Sequence, residues 1–560
     1  MKNVLKSRAA KSEIYNLTSA SDRRVASTRE TLDSPNSDLM SVAGQPLQAH
    51  KRCLRVLKFG GTSVADAHCI QKTIAIIFSA IQESAVVVVV SALCGVTNML
   101  LEAGVRAETG DAYFVAAIFD ELRRLHFNTA HLLLTSDESR TLITRKMEGI
   151  LARGEELCRE TIRRQELTLQ TQDAISSVGE RLSTLLVAAA LAEYDLVGEA
   201  VDAVDLIVTD SYHGAAQPMM ELTQKRSDAR LRPLLKQGII PVVTGFIGAT
   251  TDGVLTTLGR GGSDYSATIL AAALGADEVI IWTDVDGVLT SDPRLVSEAT
   301  SIPELSYREA AELARFGAKV LHPKTMNPVM QLGIPLWIRN TFAPRNSGTK
   351  VSASPALSCG GVRAISALRD VACIKVCGPR FAAVSDVLVR AISALEAAHA
   401  ELLMISHSSS QNDISFAVPL SVAETSVEAL LSEFSKELAD EVLGQITMNS
   451  NTSLIAIVGE KIHESPDVVG RTIRALSKEK VNILAVATGS SSCNFTFMIS
   501  ALNTKTALAA VHREFLLHSL NPRLDSHAVA NRKTPTSNRE HHEAKVVRPL
   551  KKPKRKSIAL

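Results

Sequence analysis

The sequence predicts an α/β domain on a largely parallel sheet, followed by a duplicated smaller unit. Three observations predict it. Strand-length apolar runs alternate with helical patterns through the first half of the chain, as strands buried on both faces require. Two glycine-rich turns follow or precede such elements in the manner of anion-binding loops. Beyond residue 361 one pattern recurs at a nearly constant offset. At 560 residues the chain also exceeds what one core holds together.

Residues 1–52 are rich in Ser, Thr, Arg and Lys without a sustained apolar period. A transit peptide shares that bias, but Glu13, Asp22, Glu30, Asp33 and Asp38 are more acid than such segments carry. The reading is a disordered N-terminal extension. Leu54–Lys58, Val86–Val90, Gly238–Val243, Glu278–Trp282 and Ile334–Ile338 then read as strands of one domain over 53–345. The Pro, Ser, Gly and Ala of Ala343–Gly361 suggest a linker, placed at 346–366.

The repeat follows. Ile374–Gly378 ends a strand in glycine, a helical stripe runs through Val384, Val387, Leu388, Ala391 and Leu395, and Leu402–Ile405 is again strand-like. The second copy has Ile455–Gly459, a stripe at Val469, Ile473 and Leu476, and a strand at Ile483–Val486. Ser408-Ser409-Ser410-Gln411-Asn412 returns as Ser490-Ser491-Ser492-Cys493-Asn494, each before an alternating strand. The offsets are 81 between Gly378 and Gly459, and 82 between the serine triplets, so two βαββ units are expected over 367–450 and 451–519. Residues 520–560 read as a basic disordered tail. Within it Lys551-Lys552-Pro553-Lys554-Arg555-Lys556 reads as solvated, with a nuclear address or polyanion patch as the alternative.

Composition removes several classes. With 46% apolar and 21% charged residues the chain is not globally disordered. Aromatics at 4% disfavour stacking-based nucleic-acid binding, and no nucleic acid is expected on the folded body. Apolar runs such as Ala85–Val90 are too short to span a bilayer, so no membrane is expected. The net charge of +2 hides ten Lys and Arg against two Glu in 529–560, leaving 51 against 57 acids elsewhere. Eight cysteines without paired ligand spacing fit a reducing compartment and argue against structural zinc.

Three motifs carry chemistry. Lys58-Phe59-Gly60-Gly61-Thr62-Ser63 follows the first strand. Its glycines can turn backbone N–H groups toward an anion while Lys58 offers a charge, although a structural turn is an equal reading of the motif alone. Gly259-Arg260-Gly261-Gly262-Ser263-Asp264 opens a helix. Ser263 or Asp264 as a plain N-cap is the bland reading. Arg260 among glycines suggests a carboxylate clamp. Trp282-Thr283-Asp284-Val285-Asp286-Gly287 ends a strand in an acidic turn, common by itself but suited to a nucleotide edge. Together they point to phosphoryl transfer.

On these motifs the chain resembles the aspartokinases, of the amino acid kinase fold, over about 54–518. The matching blocks are KFGGTSV (58–64), SALCGVTN (91–98), GERLST (179–184), TGFIG (244–248), LGRGGSDYSA (258–267), WTDVDGV (282–288), DPR (292–294) and FGAKVLHPKT (316–325). The resemblance implies a three-layer αβα domain followed by two regulatory ACT modules, ATP with Mg²⁺, and L-aspartate as acceptor. It implies that Lys58 neutralises the transferring phosphoryl and that Asp264 orients this lysine or the substrate. Arg260 and Glu180 would receive the aspartate carboxylate and ammonium, with Ser91, Thr97, Phe246 and Ser263 completing that pocket. Gly60, Gly61, Thr283, Asp284, Leu289, Arg294, Lys319 and Val320 would face ATP. No residue is assigned to the metal. Related enzymes often carry Tyr where this chain has Leu289.

The ACT-like repeat implies feedback by an amino acid, lysine favoured and threonine the alternative, with Gly378, Asp386, Asn412 and Asn494 as candidate contacts. For Asp386 a solvated helix face is an equal reading. A homodimer or higher homo-oligomer in the cytoplasm is expected, or a plastid location if residues 1–52 are a transit peptide. Rival readings are a kinase for another amino acid and a non-catalytic amino-acid sensor. A fused homoserine dehydrogenase is not expected, since no strand–GxGxxG–helix unit follows the repeat.

Overall fold

The computed structural model describes residues 53–318, 321–355, 361–377, 384–408, 413–465, 467–488, 493–515 and 517. The two terminal extensions and, among the expected site residues, Lys319, Val320, Gly378 and Asn412 lie outside the described residues.

The first domain carries β1 (Leu54–Phe59), β2 (Ala85–Val90), β3 (Gly198–Val201), β4 (Ile240–Thr244), β5 (Ile247–Ala249), β6 (Leu255–Thr257), β7 (Glu278–Thr283), β8 (Glu304–Ser306), β9 (Leu336–Asn340) and β10 (Thr349–Ser352). Eight of these form one sheet in the order β3-β4-β2-β1-β7-β9-β10-β8, while β5 and β6 pair as a separate antiparallel ribbon. Every pairing in the large sheet is parallel except β9 with β10. The strand period of two sets the layers. Leu57, Phe59, Val86, Val88 and Val90 enter one core with Leu100, Leu122, Leu182 and Leu186 of the helices on that face. Val56, Val87, Val89, Val279 and Ile281 enter the opposite core with Leu231, Ile269 and Leu313. The result is the helix–sheet–helix sandwich that the continuous β-branched runs require. The stretch Leu169–Tyr194 has a mean hydropathy of 1.3 and the length to cross a bilayer. Its most apolar 18-residue window is 78% buried inside the domain, and the stretch forms two helices, Leu169–Ser176 and Val178–Leu191.

The expected linker is not wholly a linker. Its residues Thr349–Ser352 form β10 of the large sheet. Thr349 Oγ1 donates to Ile302 O at 2.6 Å and Val351 is fully buried. Two inward residues are too few to stand out against the surrounding Pro, Ser and Gly.

The repeat folds into a six-stranded antiparallel sheet ordered β12-β13-β11-β14-β16-β15. These are β11 (Ala364–Cys377), β12 (Met404–Ser408), β13 (Asp413–Pro419), β14 (Gln445–Val458), β15 (Ile483–Thr488) and β16 (Asn494–Ser500). The helix Val384–Ala397 packs with Ile374, Phe416 and Phe434 in one core, and the helices Asp467–Lys478 and Thr504–Glu514 with Ile455, Phe495 and Phe497 in another. The two copies are not separable in the chain. β11 pairs with β14 along its length, Ala364–Leu368 against Leu454–Val458 of the second copy, and its trailing end lies between β14 and β13 of the first. The sheet also meets the first domain: Val296 enters the second copy's core, and Ala364, Ala456 and Val458 pack with Tyr307, Ala310 and Leu313.

Candidate active site

At the carboxyl ends of β1, β2, β4 and β7 lies a cavity of about 960 Å³, the position where open parallel sheets bind ligands. Lys58 at the end of β1 points into it from a largely buried stem, and its Nζ lies 2.6 Å from Asp264 Oδ1. The loop after β1 is drawn onto β7 by Gly60, whose N–H donates to Trp282 O at 3.1 Å. A Cβ on Gly61 would stand 3.0 Å from Ala92 O, so this turn is pressed against the loop leaving β2.

Asp264 sits in the first turn of the helix Gly262–Leu274. The approach to it requires glycine: Gly259 and Gly261 have φ of 77° and 70°, in the left-handed region. A Cβ on Gly262 would lie 2.6 Å from Phe246 Cδ2. Phe246, itself at φ 70°, is held by its N–H donating to Ser266 Oγ at 2.9 Å. Arg260 and Ser263 line the same space, and Arg260 makes no ion pair among the described residues.

Glu180 supplies the opposite sign. It lies in the first turn of the helix Val178–Leu191, 3% exposed, with Oε2 buried and without a hydrogen-bond partner. Burial pushes its carboxyl up to about 8, against backbone hydrogen bonding and the charge of Lys58, which act to lower it. Its helix is locked to the β2 loop, since Ser183 Oγ donates to Ser91 O at 2.7 Å and a Cβ on Gly179 would meet Ala92 Cβ at 2.7 Å. Ser91 and Thr97 line the wall here, Thr97 from the start of the helix Val96–Glu108, whose N-cap Gly95 has φ 84°.

Thr283 and Asp284 close the rim at the end of β7. Leu289 and Arg294 do not line the cavity. Leu289 bridges to Ser301, and Arg294 is an exposed side chain turned onto Asp292 at 2.8 Å. Of the expected effector residues only Asp386 and Asn494 are described, and they lie apart. Asp386 is exposed, 3.8 Å from Arg390 of its own helix, while Asn494 faces Glu312 of the first domain.

Sequence reasoning missed two residues. Asp173 is 3% exposed and accepts from Thr257 Oγ1 at 2.5 Å, Thr257 N at 3.2 Å and Gly214 N at 3.1 Å, with His213 Nδ1 2.9 Å away. It therefore ties three segments around the loop bearing Arg260, where a Cβ on Gly259 would stand 2.9 Å from Gly214 O. His322 packs on that loop from the other side, with its Cβ 3.1 Å from a Cβ built on Gly261. Burial, then the charges of Arg260 and Lys324, hold its imidazole below the usual range. Only the presence of His322 in the FGAKVLHPKT block hinted at it; Asp173 had no local signal.

The site thus holds a buried lysine, backbone donors at helix starts, an exposed arginine and a buried acid with an empty acceptor. That set can take a polyphosphate beside a small zwitterion.

Residues 54–340 match the amino acid kinase family, and 374–434 and 455–515 each match the ACT domain. Aspartokinase 3, chloroplastic, of Arabidopsis thaliana is 31% identical over 476 residues, covering 84% of this chain and 82% of that protein. A bifunctional aspartokinase/homoserine dehydrogenase of the same plant is 35% identical over 468 residues, 82% of this chain. The chain spans about half the length of such bifunctional relatives, 51% in this case. Among solved structures, E. coli aspartokinase III in complex with aspartate and ADP aligns with a TM-score of 0.69 at 29% identity, over 83% of this chain and all of that one. The same enzyme with lysine and aspartate gives 0.68 at 28% identity, over 82% of this chain and 99% of that one.

Proposed function

The chain belongs to the amino acid kinase family, among the aspartokinases, and on that premise we propose that it transfers the γ-phosphoryl group of ATP to the β-carboxylate of L-aspartate. The product is 4-phospho-L-aspartate, and the reaction is a first step toward lysine, threonine and methionine. The observation that carries this reading is the pairing, in one cavity, of Lys58–Asp264 with the unpartnered Glu180 carboxyl and the free Arg260 guanidinium.

The chemistry asks little of the protein beyond position and charge. A free β-carboxylate has a pKa near 3.9 and is already a nucleophile at neutral pH, so no general base is required. Arg260 receives the α-carboxylate and Glu180 the ammonium, which fixes the β-carboxylate toward the phosphates. Lys58, held in place by Asp264, neutralises charge that accumulates on the phosphoryl oxygens during transfer. The N–H groups around Gly60 and Gly61 hold the polyphosphate. Among the described residues no three His, Cys, Asp or Glu side chains form a metal-binding group. Of the four carboxylates that line the cavity, Asp173 is taken up by Thr257, Gly214 and His213 and Glu180 by the substrate ammonium, which leaves Asp264 and Asp284 beside a Mg²⁺ carried largely by phosphate oxygens. When bound, the ion supplies further charge neutralisation.

We further propose amino-acid feedback through the ACT modules, in a homodimer or higher oligomer. The exposed Ile405, Met448, Leu484 and Val486 on the regulatory strands support association. The test of the activity is aspartyl hydroxamate formation from ATP, Mg²⁺, aspartate and hydroxylamine. Signal with aspartate and none with glutamate supports the reading; a folded protein giving none overturns it in favour of a sensor.

A further inference from the structure

Behind the active-site cavity, the residue after β9 touches two of its walls at once. Thr341 is 1% exposed and Ser63 is fully buried. Their hydroxyl oxygens lie 2.7 Å apart, although 278 positions separate the residues. Ser63 Oγ also donates to Trp282 O at 3.4 Å, the same carbonyl that takes the Gly60 N–H. A hydroxyl has one proton to give, so with that of Ser63 on Trp282 it is Thr341 that donates to Ser63 Oγ. On its other side the Thr341 N–H donates to Thr283 O at 2.8 Å. One residue thus holds the turn after β1 with its side chain and the end of β7 with its backbone.

What these contacts hold is cavity wall. Ser63 belongs to the short helical turn Gly61–Val64; its N–H donates to Gly60 O at 2.9 Å, and its carbonyl accepts from Thr73 Oγ1 at 2.8 Å. Gly60, Gly61 and Thr62 line the cavity, whereas Ser63 and Thr341 do not, so the hydroxyl pair stands behind the loop. Glycines bring no side chains to fix their own backbone, and the fixing comes from behind. At the other wall Thr283 Oγ1 donates to Asp284 Oδ1 at 3.1 Å. Asn340, next to Thr341, donates from Nδ2 to Asp286 Oδ1 at 2.7 Å, further along the same acidic turn.

We propose that Thr341 is a positioning residue for the bound nucleotide. Its hydroxyl and its N–H together set the Gly60–Ser63 loop at a fixed separation from Asp284, the two walls between which a polyphosphate and its metal are held. The identity of that ligand rests on the kinase reading above. The aspartate end has fastenings of its own, Ser183 on Ser91 O and Asp173 on Gly214 and Thr257. Loss of the Thr341 hydroxyl is therefore felt in nucleotide affinity and not in affinity for aspartate.

The test is titration of the full chain with ADP and Mg²⁺, beside hydroxamate kinetics. Thr341→Val keeps the shape and removes the hydroxyl. ADP binding should weaken about fivefold and KM for ATP rise in parallel, while KM for aspartate stays near the parent value. Thr341→Ser, which restores a hydroxyl, should recover most of the loss. Ser63→Ala should weaken ADP binding at least as much as Thr341→Val, and the double variant no more than Ser63→Ala, because the shared contact is lost only once. An ADP affinity unchanged in Thr341→Val, equal rises in both KM values, or losses that multiply in the double variant overturn the assignment. A merely structural role shows as a lower melting temperature with ADP affinity intact. Should Thr341→Val fail to fold, Ser63→Ala decides by the same split between ATP and aspartate. A failed kinase reading shows separately, as a parent chain that binds ADP but makes no hydroxamate, and Thr341 is then judged on ADP affinity alone. A parent chain that binds no ADP overturns both.

Discussion

Lys58 and Asp264 meet at 2.6 Å although 206 positions separate them, one at the end of a strand and the other in the first turn of a helix. The contact holds the ammonium over the cavity before any substrate enters, so its position need not be found during the reaction. Lys58→Ala is expected to lower kcat by about 10²–10³ with a smaller change in KM for ATP, because the charge matters most as the phosphoryl moves. Steady-state hydroxamate kinetics check it; an unchanged kcat removes Lys58 from the chemistry.

With Glu180 as the proposed partner of the substrate ammonium, aspartate binding depends on pH. With its carboxyl pushed up to about 8, the empty site is mostly protonated at pH 7, yet an ammonium partner requires the carboxylate. Binding thus releases a proton, and KM for aspartate should fall severalfold between about pH 7 and 8.5. Titration in buffers of different ionisation enthalpy would measure that proton, and Glu180→Gln should abolish it while raising KM. The same shift acts on stability. A carboxyl whose folded value lies above its ordinary 4.5 costs stability as pH rises from there toward 8, so Glu180→Gln should flatten that slope in the ligand-free chain.

Asp173 should reveal itself in KM. In Asp173→Asn one oxygen becomes an amide donor facing donors at Gly214 and Thr257. A stability loss of about 1–3 kcal/mol is expected. KM for aspartate should rise about tenfold through the Arg260 loop, while KM for ATP stays near the parent value. Equal rises in both would make Asp173 a general structural residue.

Acid should unfold the first domain partly through His126. The ring is fully buried, its Nδ1 lies 2.7 Å from Leu122 O, and burial lowers its pKa to about 4. The unfolded chain protonates near 6.5, so the stability contributed by the neutral ring is complete above that pH and is lost as pH falls toward 4. The loss is on the order of 3 kcal/mol. Denaturant melts of His126→Leu should show a shallower fall over this window.

What the sequence exposed was local. The loops around Gly60 and Gly261 and the acidic turn at Asp284 are contiguous, and parallel strands deliver them to one edge of the sheet. Glu180 and Arg260 entered through resemblance, and the cavity gathers them. Asp173 was invisible because its partner Thr257 is 84 positions away and an isolated aspartate in a helix has no signature. Arg294 is exposed and rests on its neighbour Asp292, two residues earlier, so its local pairing says nothing of a nucleotide. Asn494 stands out by its place in a repeat, but its contact with Glu312 of the first domain, 182 positions away, has no local signal.

The strand Ala364–Cys377 leaves the regulatory half with one spine rather than two hinges. Because the same backbone threads both copies, neither can tilt without loading the other. The near end of that spine is fastened to the catalytic body by Ile365, whose N–H donates to Thr290 O at 2.8 Å, just beyond the Asp284–Gly287 turn. Any displacement of that leading end therefore bears on the segment just beyond the Asp284–Gly287 turn, with no sliding interface between the modules.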